Sequence, residues 1–433
     1  MTYIYDLLYL LALVLGTPWL LHRRLTRGPG SLAFRERLGD VPPRPVSSTC
    51  VWIHGVSLGE INAARTLVAE IHRRSPNTAI VLSSTTQTGL DRARELYPRL
   101  TVFRFPLDFS FALRRTLERI RPSVIVLMEL ELWPNLIEIA DREEIPVIVA
   151  NGRITEGRSM RRFRWPLVKQ LARRMFRRLA WVGAQDEQYA QRFIELGTPA
   201  ERVAVIRSLK YDTADVTEHV DGQDELAQQM RIDPQRPLWV CGSTGPGEER
   251  AILAAFAKIL AEIPGLQLAI VPRKPERFDE VADEIVAAGF ACVRRSGGPP
   301  RAPENVRVAR PVLLGDTIGE LRKFYSLASV VFVGRTLAPL GGSDVFEIAG
   351  LGKPMLLGPH VENFAEAVAE LTSERACISI TSESELAGAV TRILREPADA
   401  AEMASRARAL LLKNRGATDR TVDRILALLS EQE

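Results

Sequence analysis

The chain has 433 residues, 46% of them hydrophobic and 25% charged, with a formal net charge of +4. That composition excludes a disordered or fibrous protein, and the length exceeds the ~250–300 residues at which one core stops growing, so two domains are expected. The small net charge gives no argument for nucleic acid; four scattered cysteines without a C-x-x-C pair and five dispersed histidines give none for a metal.

From Tyr3 to Leu21 the chain is almost wholly apolar, broken by Asp6, and Leu7 to Leu21 carries no charge. A stretch near ~18 apolar residues is at the border of a spanning helix. It lacks a basic start and an A-x-A-like cleavage site, so it reads as a retained anchor, spanning or monotopic, rather than a signal peptide. His22, Arg23, Arg24 and Arg27 follow at once and place the bulk of the chain on the cytoplasmic side. The alternative is a buried first helix of the first domain. Residues 1–30 are therefore expected to form a membrane anchor with its basic flank.

Residues 31–212 read as the first domain. Apolar runs at Val51–His54, Ala79–Ser84, Thr101–Phe105, Val124–Met128, Val147–Ala150 and Trp181–Ala184 alternate with amphipathic helical patterns, the signature of βαβ units and a parallel sheet. The first run, V-W-I-H, enters a glycine-flanked turn that ends on Glu60, where a helical pattern begins. Open α/β sheets bind ligands at that end of a strand, and a carboxylate there is a candidate base for an attacking hydroxyl. The competing reading is an acid that merely suits the positive end of a helix. A second constellation, Glu129-Leu130-Glu131, follows the Val124–Met128 strand, and Lys210 follows another; a salt bridge that positions a loop is the competing reading there.

Between Gly157 and Gln185 lie nine basic residues (Arg158, Arg161, Arg162, Arg164, Lys169, Arg173, Arg174, Arg177, Arg178) and no acid, interleaved with Phe163, Trp165, Leu171, Met175 and Phe176. This is a candidate surface for anionic lipid. A solvated helix face and nucleic acid are the rivals; no recognition motif accompanies the patch.

Residues 213–237 turn polar and acidic and read as a linker. Strand–helix alternation resumes over 238–405, with candidate phosphate contacts in the Gly242–Glu248 turn, at Pro272-Arg273-Lys274-Pro275 and in Gly341-Gly342-Ser343-Asp344-Val345-Phe346-Glu347, whose Glu347 suits a ribose. The Gly242–Glu248 turn is not a P-loop, and no D-x-D is present to hold a divalent ion on a diphosphate. Residues 406–433 read as terminal helices able to pack on either domain.

The order of these motifs resembles the Kdo transferases, which move 3-deoxy-D-manno-octulosonate from CMP-Kdo to lipid A precursor. The resemblance runs along nearly the whole chain: R-E-R-L-G at Arg35, W-I-H-G-V-S-L-G-E at Trp52, M-E-L-E-L-W-P-N-L at Met128 and N-G-R-I-T at Asn151. It continues with S-L-K-Y-D at Ser208, P-R-K-P-E-R at Pro272, G-D-T-I-G-E at Gly315 and G-K-P…G-P-H…N-F from Gly352. It implies a GT-B glycosyltransferase, two doubly wound Rossmann-like domains facing a central cleft, inverting and metal-independent, with no cofactor apart from the donor substrate CMP-Kdo. By motif match, Glu60 would be the general base, and Glu129 and Lys210 would stabilise the transition state. Pro272, Arg273, Ile318, Gly319, Glu320, Asp344, Val345, Phe346, Glu347 and Asn363 would line the CMP site. The implied partners are a lipid A precursor, lipid IVA, and an anionic membrane surface, at the cytoplasmic face of the cell inner membrane.

Three departures stand out: Leu130 where the family usually has Thr, Ile318 where it has Met, and Ser343-Asp344-Val345 where it has His-Asn-Pro. A charge at Asp344 disfavours an anionic donor unless it is paired or turned away. The rival expectations are therefore a GT-B enzyme using another nucleotide sugar and a catalytically silent lipid-binding homologue.

Overall fold

The computed structural model describes residues 5–7, 9–11, 34–44, 48–155, 160, 166–302 and 311–431. The chain forms two compact units: Met1–Thr213 with Asn414–Glu433, and Ala214–Lys413.

The first unit holds seven parallel strands: β1 (Cys50–His54), β2 (Ala79–Ser84), β3 (Thr101–Arg104), β4 (Val124–Met128), β5 (Val147–Gly152), β6 (Trp181–Ala184) and β7 (Val203–Val205), in the spatial order β3-β2-β1-β4-β5-β6-β7. A strand covered by helices on both faces reads as a continuous apolar run. In β1, Cys50 and Trp52 enter the core on one face and Val51 and Ile53 the core on the other. Trp52 donates its indole N–H to Ser83 Oγ at 2.8 Å, so its polar edge is satisfied within the core.

The sequence runs identify six of these strands. The short edge strand β7 has only half-buried residues, and its Val203-Ala204-Val205 run is too brief to stand out. The helix Ala417–Ser430 lays Val422, Ile425 and Leu429 on the Val51–Ile53 face. Asp212 fixes its start by accepting the N–H groups of Gly416 at 2.8 Å and Thr418 at 2.6 Å.

The second unit repeats the plan with β8 (Leu238–Thr244), β9 (Gln267–Pro272), β10 (Ala291–Arg294), β11 (Pro311–Leu314), β12 (Val330–Val333), β13 (Met355–Leu357) and β14 (Ile378–Ser379), ordered β10-β11-β9-β8-β12-β13-β14. The span read as a linker contains a helix, Gln223–Met230, whose Leu226 and Met230 are buried in this unit.

Among the described residues, no helix is long and apolar enough to cross a membrane. The anchor reading falls mostly on residues 12–33, outside the described residues. Residues 5–7 and 9–11 are helical, with Tyr5 buried and Leu7, Leu10 and Leu11 exposed. They are tied to the first unit by Tyr9, whose hydroxyl donates to Asp108 at 2.9 Å, and by Asp6, which accepts the Ser110 N–H at 2.8 Å.

Candidate active site

In each sheet the strand order reverses beside the first strand, between β1 and β4 and between β8 and β12. Such switch points open a crevice at the carboxyl ends of the strands. Glu60 follows β1 and Glu129 follows β4, so the two glutamates flank the switch point of the first unit.

Glu60 is 8% exposed. It is the third residue of the helix Leu58–Arg74, and Ser57 is the N-cap. The Ser57 hydroxyl donates to Glu60 Oε1 at 2.7 Å and accepts the Glu60 N–H at 3.3 Å. The Ser57 N–H reaches Oε1 at 3.3 Å, and the Val56 N–H reaches Oε2 at 2.8 Å. This is a complete capping box. A Cβ on Gly55 would stand 3.1 Å from Glu60 Cβ, a tight contact that glycine avoids where the acid folds back. Burial pushes the Glu60 carboxyl up, opposed by those donors. Two carboxylate oxygens offer about four lone-pair positions, and three donors leave about one for an incoming hydroxyl. The acid therefore caps a helix and keeps room to take a proton.

Glu129 adopts φ 56°, an uncommon conformation for a residue with a Cβ, and donates its N–H to Ala150 O at 2.9 Å. Glu131, two residues on, is pushed up to about 7 by burial, with the charges of Glu60 and Glu129 adding to the effect. Its folded value lies above the ordinary 4.5, so the native state binds more protons than the unfolded chain between those values. Its contribution to stability is complete below about pH 4.5 and is lost as pH rises through about 7. Replacing it by a group that does not titrate abolishes that dependence. We expect Glu131→Gln to stabilise the first unit relative to wild type increasingly from pH 5 to pH 8, measured by urea unfolding; a pH-independent difference would refute the coupling.

Lys210 lies in the short helical turn Leu209–Thr213 after β7. Asn151, at φ 58°, holds that turn by accepting the Leu209 N–H at 3.1 Å. His54, also in the opening motif, belongs to the core: it is fully buried, stacks on Phe105 at 4.0 Å and is pushed down to about 3 by burial, which keeps it neutral.

In the second unit Pro272 and Arg273 stand at the end of β9, with Pro272 buried and Arg273 exposed. After β11, Ile318 is 83% exposed and Gly319 has φ 86°. Glu320 is engaged by Arg295 at 2.8 and 3.1 Å, Lys323 at 3.2 Å and Thr317 at 2.6 Å, which together hold it down at about 2. Val345 and Phe346 are core side chains, so any contact they make to a ligand is through backbone. Asp344 Oδ1 accepts the Phe346 N–H at 2.8 Å, and Glu347 is half-buried. The Asn363 side chain packs where a Cβ on Gly341 would stand, and the Asn363 backbone N–H donates to Gly341 O at 3.0 Å.

The Gly242–Glu248 turn is engaged in part by the chain's own carboxylate: Glu248, 1% exposed, accepts the Gly245 N–H of the turn at 2.8 Å and, from the segment after β12, the N–H groups of Arg335 at 2.6 Å, Leu337 at 2.9 Å and Ala338 at 3.4 Å. Of the orienting residues, Ser57 was legible in the S-x-x-E spacing; Asn151 and Glu248 act over long sequence separations and left no local signal.

The family model described as 3-Deoxy-D-manno-octulosonic-acid transferase (kdotransferase) matches residues 33–213. The 3-deoxy-D-manno-octulosonic acid transferase of Haemophilus influenzae is 32% identical over 90% of this chain and 91% of its own length. The Bordetella pertussis protein of the same description is 33% identical over 89% of each chain. Among solved structures, Acinetobacter baumannii MurG superposes with a TM-score of 0.53 at 13% identity, over 88% of this chain and 99% of that one, a likeness of fold.

Proposed function

The chain belongs to the 3-deoxy-D-manno-octulosonic acid transferase family and is a glycosyltransferase, and from that premise we propose that it transfers Kdo from CMP-Kdo to a lipid A precursor such as lipid IVA, with inversion and without a metal. The observation that carries the mechanism is Glu60 at the β1/β4 switch point, aimed by Ser57 and Val56 with one acceptor position left. In the step, Glu60 takes the proton of the acceptor hydroxyl as its oxygen bonds the anomeric carbon of Kdo. The bond from that carbon to the CMP phosphate oxygen breaks, and CMP leaves with the electron pair. Glu129 and Lys210 supply fixed charge around the developing transition state, where preorganised groups act most strongly.

The second unit takes the nucleotide sugar at the carboxyl ends of β9, β11 and β12, through Pro272, Arg273, the Ile318–Glu320 turn, the Asp344–Glu347 backbone and Asn363. Asp344 spends one carboxylate oxygen on capping Phe346, which limits its repulsion of an anionic donor. Association with an anionic cytoplasmic membrane face is supported by exposed Leu7, Leu10 and Leu11, and by exposed Lys169, Arg173, Arg174 and Arg177 on the helix Pro166–Arg177. Arg158, Arg161, Arg162 and Arg164 of the same basic run lie outside the described residues.

The test is product mass after incubating the purified chain with tetra-acylated lipid A precursor and freshly generated CMP-Kdo. A gain of one or more Kdo units supports the reading and counts the sugars. No gain with folded protein, and a gain with another nucleotide sugar instead, overturns the donor.

A further inference from the structure

The polar contacts that hold Asp6 and Tyr9 to the first unit end on Asp108 and Ser110, after β3, and on Asn135, in the helix that follows the turn carrying Glu129 and Glu131. Asp108 is 4% exposed and lies just after β3. Its Oδ1 accepts the Leu136 N–H at 3.0 Å and its Oδ2 the Asn135 N–H at 3.0 Å, which caps the helix Pro134–Arg142 from outside, since the preceding Trp133 offers no side-chain cap. The same Oδ2 accepts the Tyr9 hydroxyl at 2.9 Å. Asn135 is fully buried, and its side-chain amide donates to Asp108 O at 2.6 Å and to Asp6 Oδ1 at 3.0 Å. Asp6 in turn accepts the Ser110 N–H and hydroxyl. Tyr9 also sets its ring edge-on to Phe109 at 5.9 Å.

The turn from Glu129 to Trp133 is thus fixed at both ends. Its first residue is hydrogen-bonded to β5 through Ala150, and its exit helix is gripped by a carboxylate that residues 5–11 also grip. A short turn held at two ends has few arrangements left, so a shift of its exit is passed to the carboxylates it carries.

We propose that Asp6, Tyr9 and Asp108 are positioning residues: through Asn135 and the start of the Pro134–Arg142 helix, the N-terminal segment sets where Glu129 and Glu131 stand. This rests on the Kdo-transfer reading given above. The segment is then a working part of the acceptor side of the enzyme as well as any tether to a membrane. Its effect persists when there is no bilayer to be tethered to, and that separates the two roles.

The experiment compares the full-length wild type with Tyr9→Phe and with Tyr9→Phe/Asp6→Ala, all in detergent micelles containing lipid A precursor at saturating CMP-Kdo. Tyr9→Phe removes one hydroxyl and keeps the ring on Phe109, so the fold is retained. Misplacing catalytic groups by about 1 Å costs up to roughly 10²-fold. We expect kcat to fall about threefold in the single variant and on the order of tenfold in the double variant, with KM for CMP-Kdo unchanged. Hydrogen exchange should accelerate in the peptide spanning residues 129–139 and stay at the wild-type rate in the second unit.

A kcat within twofold of wild type in micelles, with unaltered exchange over residues 129–139, would overturn the proposal and leave a tether. Accelerated exchange throughout the first unit would also overturn it, in favour of a general packing role. Wild-type protein that transfers no Kdo would sink the functional reading, while exchange over residues 129–139 would still decide whether the N-terminal segment sets that turn.

Discussion

Glu60→Gln is expected to lower kcat for Kdo transfer by about 10²–10⁴-fold, the usual contribution of a positioned general base. Glutamine matches glutamate in shape, and its carbonyl oxygen still accepts an N–H from Val56 or Ser57, so most of the capping box survives. What it cannot do is accept the hydroxyl proton. The variant therefore separates the two roles that the structure gives this side chain. A cap contributes about 1 kcal/mol to stability, and its partial loss shifts unfolding slightly while leaving turnover intact. Steady-state rates by product mass, beside a thermal melt, decide between them. A variant with wild-type kcat and a lowered melting temperature would mean that Glu60 is a cap alone, and that the base must be sought elsewhere at the switch point. Loss of turnover with a near-native melt assigns the proton transfer to Glu60.

The largest expected effect on stability lies in the second unit. Arg277 forks onto Glu249 at 2.7 and 3.1 Å, and the two side chains are 8% and 0% exposed. Arg277 also reaches Glu280 at 3.0 Å, and Glu249 accepts the Thr244 hydroxyl at 2.8 Å. Hydrogen bonds to both glutamates raise the Arg277 guanidinium well above its ordinary range despite burial, so it remains charged at every accessible pH. Removing one partner of such a pair strands the other charge in the core, which costs about 3–5 kcal/mol. Arg277→Met should therefore lower the unfolding midpoint of the second unit by roughly 10 °C, at about 2–4 °C per kcal/mol for a unit of this size. The double variant Arg277→Met/Glu249→Met should recover most of the loss, because two apolar groups leave no buried charge. Calorimetry on both variants checks this. If the double variant melted as low as the single one, the loss would come from packing rather than from an unpaired carboxylate.

The strand, turn and helix start that carry Glu60 were legible in the sequence because their parts are local. A continuous apolar run ending in G-V-S-L-G-E encodes a strand, a tight turn and a capping box within ten residues. Val124–Met128 followed by Glu129 likewise encodes a buried strand and the turn at its end, though not the cap of the helix that follows. Legibility ends where partners are distant. Asp108 caps a helix that begins 26 residues later, and Glu248 binds N–H groups 87 to 90 residues on. Neither leaves a periodic or compositional trace, so the hold of Glu248 on the segment after β12 does not show in the Gly242–Glu248 run. The polar character of residues 213–237 misled in the same way. Only Leu226 and Met230 of the helix Gln223–Met230 are buried, too few to raise a hydrophobic pattern above its acidic and glutamine-rich surroundings.

The helix Ala417–Ser430 has a consequence for synthesis. It covers a face of the first sheet whose strands end before residue 210, so that face cannot be closed until the chain beyond Gly416 has left the ribosome. The intervening Ala214–Lys413 unit is continuous in sequence and can complete its own core first. At ~5–20 residues per second, the apolar flank of β4 waits roughly 15–60 s for its cover. During that interval Val124 and Val126 lack the helix that closes their face, leaving a hydrophobic surface of the kind that holdase chaperones recognise. A released chain truncated after Lys413 should therefore hold a folded second unit and a protease-sensitive first one.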